Sequence, residues 1–220
     1  MAAAGTFRRL VRVVPYMSQS LPAFAVTWDY RCPFARNAHE HILTGLAAGA
    51  EWDVRFLAFS LGQVHVAEGE PSVWDKPEQD TGIIALQAGV VVRDLYPELF
   101  PAVHRALFAA RHDDALHLED RAVVSAVLER HGVPVDVVFG RIDDGSALAT
   151  VRAEHEGFAE SHNVWGVPTF IVDDQAVFIR FMHRSPDGAD AAASIETIER
   201  AVGLIGWTDL NEFKHTSVAR

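Results

Sequence analysis

The hydrophobic periodicity of this chain changes twice along its length, and this pattern limits the folds that the chain can adopt. Residues 23–30 and 52–59 have strand character, and a helical spacing of apolar residues begins at Pro33 between them. A strand, a helix and a second strand in succession form a right-handed unit with parallel strands in nearly all proteins. From residue 63 to residue 163 the spacing is helical and predicts five helices.

Strand character returns near the C-terminus. Residues 169–172 and 176–181, separated by a turn, predict an antiparallel hairpin that extends the sheet. A last amphipathic helix is predicted after Ser185-Pro186-Asp187-Gly188. The predicted fold class is therefore α/β, with a βαβ–ββα sheet and a large all-helical insertion. The predicted domain limits are an N-terminal extension at 1–22, the sheet domain at 23–62 and 164–208, the insertion at 63–163 and a C-terminal tail at 209–220.

Charge and hydropathy argue against two classes of partner. Thirty acidic residues against 19 lysines and arginines give a formal net charge of -11, so the field of the protein repels phosphate backbones and anionic lipid surfaces. The longest apolar runs fall well short of the roughly 20 residues that a membrane-spanning helix needs. We therefore expect no nucleic-acid partner and no membrane span.

Cys32 is the only cysteine in the chain of 220 residues. An internal disulfide is therefore impossible, and a four-cysteine zinc site is excluded. The apolar stretch near the N-terminus is too short and too interrupted for the core of a secretion signal. Together these features predict a cytoplasmic protein, in a compartment where thiols stay reduced.

The position of Cys32 predicts a reactive thiol. The residue lies between the end of the first strand and the start of the first helix, where a thiolate meets unpaired backbone amides and the positive end of the helix dipole. Such a site lowers a cysteine pKa from about 8.5 into a range of roughly 3.5–7.5. The alternative is a small apolar side chain packed at a strand end. Position alone leaves both interpretations open.

Two motifs in this order resemble the DsbA-like branch of the thioredoxin superfamily. They are Cys32-Pro33 at the start of the first helix and Gly166-Val167-Pro168-Thr169 before a strand, separated by the helical block. The resemblance covers roughly residues 24–205 and implies a thioredoxin-like fold. It also implies a cis-proline at Pro168 that faces the cysteine, a catalytic Cys32, and ligand-binding roles for Pro33, Phe34, Val167 and Pro168.

The chain departs from the dithiol members of this family at Ala35, where they carry a second cysteine. A mixed disulfide on Cys32 can then be released only by an external thiol. Phe34 also cannot donate a hydrogen bond to sulfur from its side chain. The resemblance therefore implies a monothiol thiol–disulfide oxidoreductase with no tightly bound cofactor, which uses glutathione or mycothiol as co-substrate and acts on a small disulfide or aromatic substrate.

Two other functions stay open from the sequence. The first is the chemistry of the kappa-class glutathione transferases or the 2-hydroxychromene-2-carboxylate isomerases, in which a single serine or cysteine at this position activates a bound thiol cofactor. The second is a non-catalytic binding module with a thioredoxin fold, which the missing second cysteine favours. A homodimer is also left open.

Eleven histidines require that a metal site be considered. His39 and His41 face different sides of one predicted helix, whereas His155 and His162 share a face of another. A zincin pattern would need a histidine at position 159, which is Ala159. We therefore expect no metal site and expect these histidines to lie on solvated helix faces.

Two tryptophans flank the predicted site in the sequence. Trp28 lies in the first strand, and Trp165 comes directly before the Gly-Val-Pro-Thr segment. Large aromatic side chains bury much apolar surface, so we expect both to pack in the core.

Overall fold

A computed structural model describes residues 23–185 and 191–209 of the protein. The predicted extension at 1–22, most of the predicted tail and residues 186–188, which were predicted to precede the last helix, lie outside these residues. Among the described residues, no helix combines the length and the apolar character needed to cross a bilayer.

The sheet has four strands in the order β2-β1-β3-β4. Strand β1 pairs with β2 in parallel, with Phe24 opposite Val54 at one end and Trp28 opposite Ala58 at the other. Strand β3 pairs antiparallel with both β1 and β4. The parallel pair and the antiparallel hairpin are both as predicted, although β1 and β2 are shorter than the predicted strands. The strands are β1 (Phe24–Trp28), β2 (Val54–Ala58), β3 (Thr169–Val172) and β4 (Gln175–Phe178).

Eight α-helices surround the sheet in the described part of the chain. All five helices predicted for the insertion are present as α3 to α7. The structure adds α2, whose four residues are too few to show a helical period, and a 3-10 turn at Pro77–Gln79. The helices are α1 (Pro33–Ala47), α2 (Leu61–Val64), α3 (Ile83–Leu95), α4 (Phe100–His112), α5 (Arg121–Arg130), α6 (Val135–Asp143), α7 (Ser146–His162) and α8 (Ala191–Ile205).

The two faces of the sheet bury separate apolar clusters. On one face, Phe24 and Val26 of β1 pack with Ile42 of α1 and with Ile198 and Val202 of α8. The other cluster runs from the sheet through α3 to α7 and is the core of the insertion. Burial of this kind contributes roughly 25 cal/mol per Å² of apolar surface. The predicted α/β fold class with a helical insertion is confirmed.

Buried hydrogen bonds between histidines join the insertion to the sheet domain. His104 of α4 bonds the Tyr30 hydroxyl through Nδ1 at 2.8 Å and His39 Nδ1 through Nε2 at 2.9 Å. His39 Nε2 bonds the carbonyl of Thr27 in β1 at 3.1 Å. These side chains, together with His41 and His155, are buried. The expectation of solvated helix faces is therefore wrong for His39, His41 and His155, because each packs into the interior of the fold.

Candidate active site

The thiol of Cys32 caps the N-terminus of α1. Cys32 has extended backbone angles (φ -90°, ψ 115°), and its Sγ accepts the N–H of Ala35 at 3.4 Å. Pro33 follows in the first helical turn, where a missing N–H costs nothing because that turn has no intrahelical acceptor. The Cys32 N–H bonds the carbonyl of Asp29 at 3.0 Å and closes the turn that leaves β1. The sulfur is thus held at the junction of strand and helix.

The segment before β3 faces this sulfur. The Val167–Pro168 peptide bond is cis, and the Cys32 Sγ donates to the Val167 carbonyl at 3.3 Å. Val167 and Pro168 are buried, Phe34 is half-buried, and Pro33 is exposed at the start of α1. The structure therefore brings the Val167 backbone directly to Cys32, with Pro33 and Phe34 beside them at the helix start.

Two threonines hold the Gly-Val-Pro-Thr segment in place. The hydroxyls of Thr27 and Thr169 both donate to the Gly166 carbonyl, at 3.3 Å and 2.8 Å. The Thr169 N–H donates a hydrogen bond to the Thr27 hydroxyl at 2.8 Å. Because Thr27 belongs to β1, the strand that leads to the cysteine also positions the backbone opposite it.

Burial raises the pKa of the Cys32 thiol above its ordinary value. The backbone N–H groups of Ala35 and Phe34 act in the other direction, as does the charge of Arg180, whereas the Asp29 carboxylate raises the pKa further. Cys32 is only 7% exposed, so the loss of hydration outweighs the helix N-terminus. The expectation of a lowered pKa is therefore wrong.

The alkylation rate of Cys32 should consequently rise with pH to a midpoint above that of a small free thiol. At pH 7 its thiolate fraction should be below the few per cent of a free cysteine. Iodoacetamide alkylation followed by intact mass from pH 6 to pH 11 measures the profile, with N-acetylcysteine amide as reference in the same buffers. A midpoint at or below that of the reference would contradict burial as the dominant effect.

A buried ionic group next to the cysteine was not singled out from the sequence. Asp29 is fully buried and accepts hydrogen bonds from the Arg31 backbone and guanidinium and from the Leu61 N–H. Arg31 also bonds Asp80 at 2.9 Å. The group ties the turn after β1 to the segments that enter the insertion. The only sequence signal was the Asp-Tyr-Arg spacing at the end of a strand, and the partner Asp80 is 49 residues further along the chain.

Aromatic side chains and an arginine lie around the opening of the site. Trp165 is 63% exposed, and its ring packs against Phe178 of β4 with 4.6 Å between centroids. The guanidinium of Arg180 lies over the ring of Phe34, 5.2 Å from its centroid. Trp28 is fully buried as expected, but the expectation of core packing for Trp165 is wrong, because its ring packs on an outer strand and stays largely exposed.

The described residues contain no group of three histidine, cysteine or acidic side chains arranged to hold a metal ion. The chemical groups at the site are one thiol, backbone N–H and carbonyl groups, aromatic rings, the guanidinium of Arg180 and the buried carboxylate of Asp29. Such groups suit a sulfur-containing ligand that binds along the backbone.

A comparison with protein families matches residues 26–184 to the DSBA-like thioredoxin domain. The chain belongs to this family. The resemblance seen in the sequence is thereby confirmed, and a single cysteine is consistent with it. A search of curated proteins finds no match.

Solved structures with the same fold carry differing functional names. BdbD from Bacillus subtilis in its oxidised form is 16% identical, with a TM-score of 0.57 over 84% of this chain and 90% of that one. A 2-hydroxychromene-2-carboxylate isomerase is 15% identical, with a TM-score of 0.58 over 86% of this chain and 100% of that one. DsbA from Pseudomonas aeruginosa is 18% identical, with a TM-score of 0.55 over 89% and 88%. At these identities the likeness shows the fold alone.

Proposed function

We propose that this protein is a thiol–disulfide oxidoreductase that acts through Cys32 alone, with glutathione or mycothiol as co-substrate. The proposal rests on the position of the Cys32 sulfur, 3.3 Å from the Val167 carbonyl and 3.4 Å from the Ala35 N–H. No described residue accepts a hydrogen bond from the Val167 N–H. An extended ligand can therefore pair with the Val167 backbone while its sulfur meets Cys32.

In the first step the Cys32 thiol loses its proton and the thiolate attacks one sulfur of a disulfide. One S–S bond forms between Cys32 and the ligand while the original S–S bond breaks, and the second ligand sulfur leaves as a thiolate. The Ala35 N–H lies close enough to stabilise the negative sulfur. Because the Cys32 thiolate is not favoured at rest, this attack accelerates as the pH rises.

In the second step an external thiolate attacks the ligand sulfur of the mixed disulfide. Its new S–S bond replaces the bond to Cys32, which leaves as a thiolate and takes up a proton. A thiol of raised pKa is a poor leaving group, so the mixed disulfide is long-lived without a second thiol. An oxidising catalyst needs a stabilised thiolate, so the site is suited to reducing disulfides.

A second candidate is thiol-dependent transfer or isomerisation on an aromatic substrate. It is favoured by the exposed ring of Trp165 and by the half-buried rings of Phe34 and Phe178 around the opening. In this reaction a thiol cofactor would occupy the site and Cys32 would activate it without forming a disulfide. The two candidates therefore differ in whether a covalent adduct forms on Cys32.

The test is adduct formation with 2-hydroxyethyl disulfide, followed by intact mass. We expect one hydroxyethylthio group per chain, formed faster at pH 9 than at pH 7, and its removal by glutathione or a mycothiol analogue. Cys32→Ser is the matched control and should form no adduct. A wild-type protein that forms none at either pH would contradict the proposal and favour the binding module. An adduct that no small thiol releases would contradict the catalytic cycle.

A further inference from the structure

The guanidinium of Arg180 lies over an aromatic ring next to the cysteine and has no ion-pair partner among the described residues. Arg180 follows β4, is exposed, and lies 5.2 Å from the ring centroid of Phe34, two residues after Cys32. No carboxylate of the described residues lies within ion-pair distance of it. Its charge also acts on the thiol, because it lowers the pKa of Cys32 against the larger effect of burial.

The other arginines around the cysteine all have carboxylate partners. Arg31 pairs with Asp29 at 2.7 Å and with Asp80 at 2.9 Å. Arg36, one helical turn after Cys32, pairs with Glu40 and Asp113. Their charges are largely neutralised by these partners, so neither is available to a ligand. Arg184 shares the same two carboxylates as Arg36, each at 3.6 Å.

The protein has a net charge of -11, so a cation without an ion-pair partner beside the cysteine bears on the charge of the ligand. A field of that sign repels anionic ligands and lowers their concentration near the surface. A neutral thiol would be indifferent to the field and would gain little from a guanidinium. An anionic thiol needs local compensation, and an arginine supplies it in a planar form that matches a carboxylate.

We infer that the external thiol that releases Cys32 carries a carboxylate, which Arg180 binds at the opening of the site. The inference rests on the proposed function and narrows it, since it selects a glutathione-type thiol over mycothiol, which has no carboxylate. The Phe34 ring positions the guanidinium from one side, so its other face and its edge are available to the ligand.

The chemistry of the step is unchanged by this contact. The thiolate of the carboxylate-bearing thiol attacks the ligand sulfur of the mixed disulfide, one S–S bond forms, and the bond to Cys32 breaks. Cys32 leaves as a thiolate and takes a proton from water, and no net electrons are exchanged with other reagents. Arg180 contributes only by raising the local concentration of the anion and orienting it.

The experiment compares two thiols on the same mixed disulfide. The protein is first converted to the neutral hydroxyethylthio adduct of Cys32, and its release by glutathione and by glutathione diethyl ester is followed at low salt. Each release rate is divided by the thiolate concentration of the thiol used. The rate with glutathione is then divided by the rate with the ester, and this ratio is compared between variants, so that differences in intrinsic reactivity between the two thiols cancel. The variants are Arg180→Gln, Arg180→Lys and Arg55→Gln, the last being an exposed position on the opposite edge strand with the same loss of charge.

We expect Arg180→Gln to lower the preference for glutathione over its ester by about two- to fivefold, the size of an exposed charge pair. Arg180→Lys should keep most of the preference, Arg55→Gln should not change it, and salt at 1 M should reduce it in the wild type. If Arg180→Gln and the wild type show the same ratio, or Arg55→Gln lowers it equally, the inference is overturned although the proposed function stands. If no thiol releases the adduct from the wild type, the proposed function itself fails.

Discussion

Replacing Ala35 with cysteine is expected to turn this monothiol protein into a dithiol oxidoreductase. The Ala35 backbone is already in contact with the Cys32 sulfur, with 3.4 Å between N and Sγ. Cys32 is the extended N-cap residue of α1, and its sulfur lies over the first helical turn, where Ala35 is on the same face. A disulfide needs Cβ atoms about 3.5–4.5 Å apart, so a small adjustment at the helix start is enough to form it. Oxidation of Ala35→Cys should therefore close an internal disulfide.

The effect on turnover should be large because release becomes intramolecular. A thiol held beside the mixed disulfide has an effective concentration of about 1 mM or more, which external thiols at micromolar concentration cannot match. At about 10 μM external thiol we expect the hydroxyethylthio adduct to be lost from Ala35→Cys at least about tenfold faster than from the wild type. Stopped-flow mixing with intact mass of the quenched protein measures both rates.

Ala35→Ser is the matched control for this substitution. Ala35 is fully buried, so either replacement adds volume to a packed position and can cost about 1–3 kcal/mol of stability. Serine adds an atom of similar placement without a thiol and should keep the wild-type release rate. If Ala35→Cys is folded but shows neither an internal disulfide nor faster release, Cys32 does not act as we propose. Under the transferase or isomerase alternative, a second thiol would instead compete with the bound cofactor and lower that activity.

The sequence predicts the elements and their order because each repeats its apolar residues over several turns or along a strand. Thr169–Val172 and Val54–Ala58 are continuous or alternating runs of this kind. The failures concern residues whose environment is set by distant parts of the chain. His39 was expected on a solvated helix face, yet it is buried and its partner His104 is 65 residues away. Nothing local distinguishes it from a solvated histidine.

At the candidate site, too, some features follow from adjacent residues and others depend on the whole fold. The helix start at Pro33 and the position of Cys32 before it follow from adjacent residues. The pKa of the thiol does not, because two local effects that lower it compete with burial produced by the whole fold. Trp165 was misjudged for a related reason, since whether a tryptophan is covered depends on which strand is outermost. Arg180 could not be picked out from the sequence. It differs from the neighbouring arginines because they form ion pairs with carboxylates, and only the folded structure shows which arginines do so.

The buried histidine chain should make the protein lose stability between about pH 6.5 and pH 4. The Thr27 carbonyl can only accept, so His39 donates to it from Nε2, and a neutral His39 then accepts from His104 at Nδ1. His104 must then accept the Tyr30 hydroxyl at its own Nδ1. In this arrangement each imidazole carries one proton, and burial favours this neutral form. Burial lowers the pKa of His39 to about 4 and that of His104 well below its ordinary value.

The direction and the pH window follow from linkage. In the unfolded chain these histidines take up protons below about pH 6.5, whereas the folded protein excludes them until about pH 4. Stability is thus complete above pH 6.5 and is lost progressively as the pH falls toward 4. Protonation of His39 alone should lower the free energy of unfolding by about 3 kcal/mol between pH 6.5 and pH 4. His155, whose pKa burial also lowers to about 4, acts in the same direction.

Urea unfolding at several pH values measures the effect as a slope of the unfolding free energy. With two or three such histidines, the slope near pH 5 should be about 2–4 kcal/mol per pH unit, since each proton taken up contributes about 1.4. Exposed carboxylates with lowered pKa values, such as Asp113, also reduce stability in acid, but mainly below about pH 5, so the interval from pH 6.5 to 5 separates the two causes. His65→Gln is the matched control, because it removes an exposed histidine and leaves the buried chain of hydrogen bonds intact, so the slope should stay as in the wild type. A flat profile between pH 6.5 and 5 would show that the folded protein takes up protons as readily as the unfolded chain, which would contradict neutral buried imidazoles.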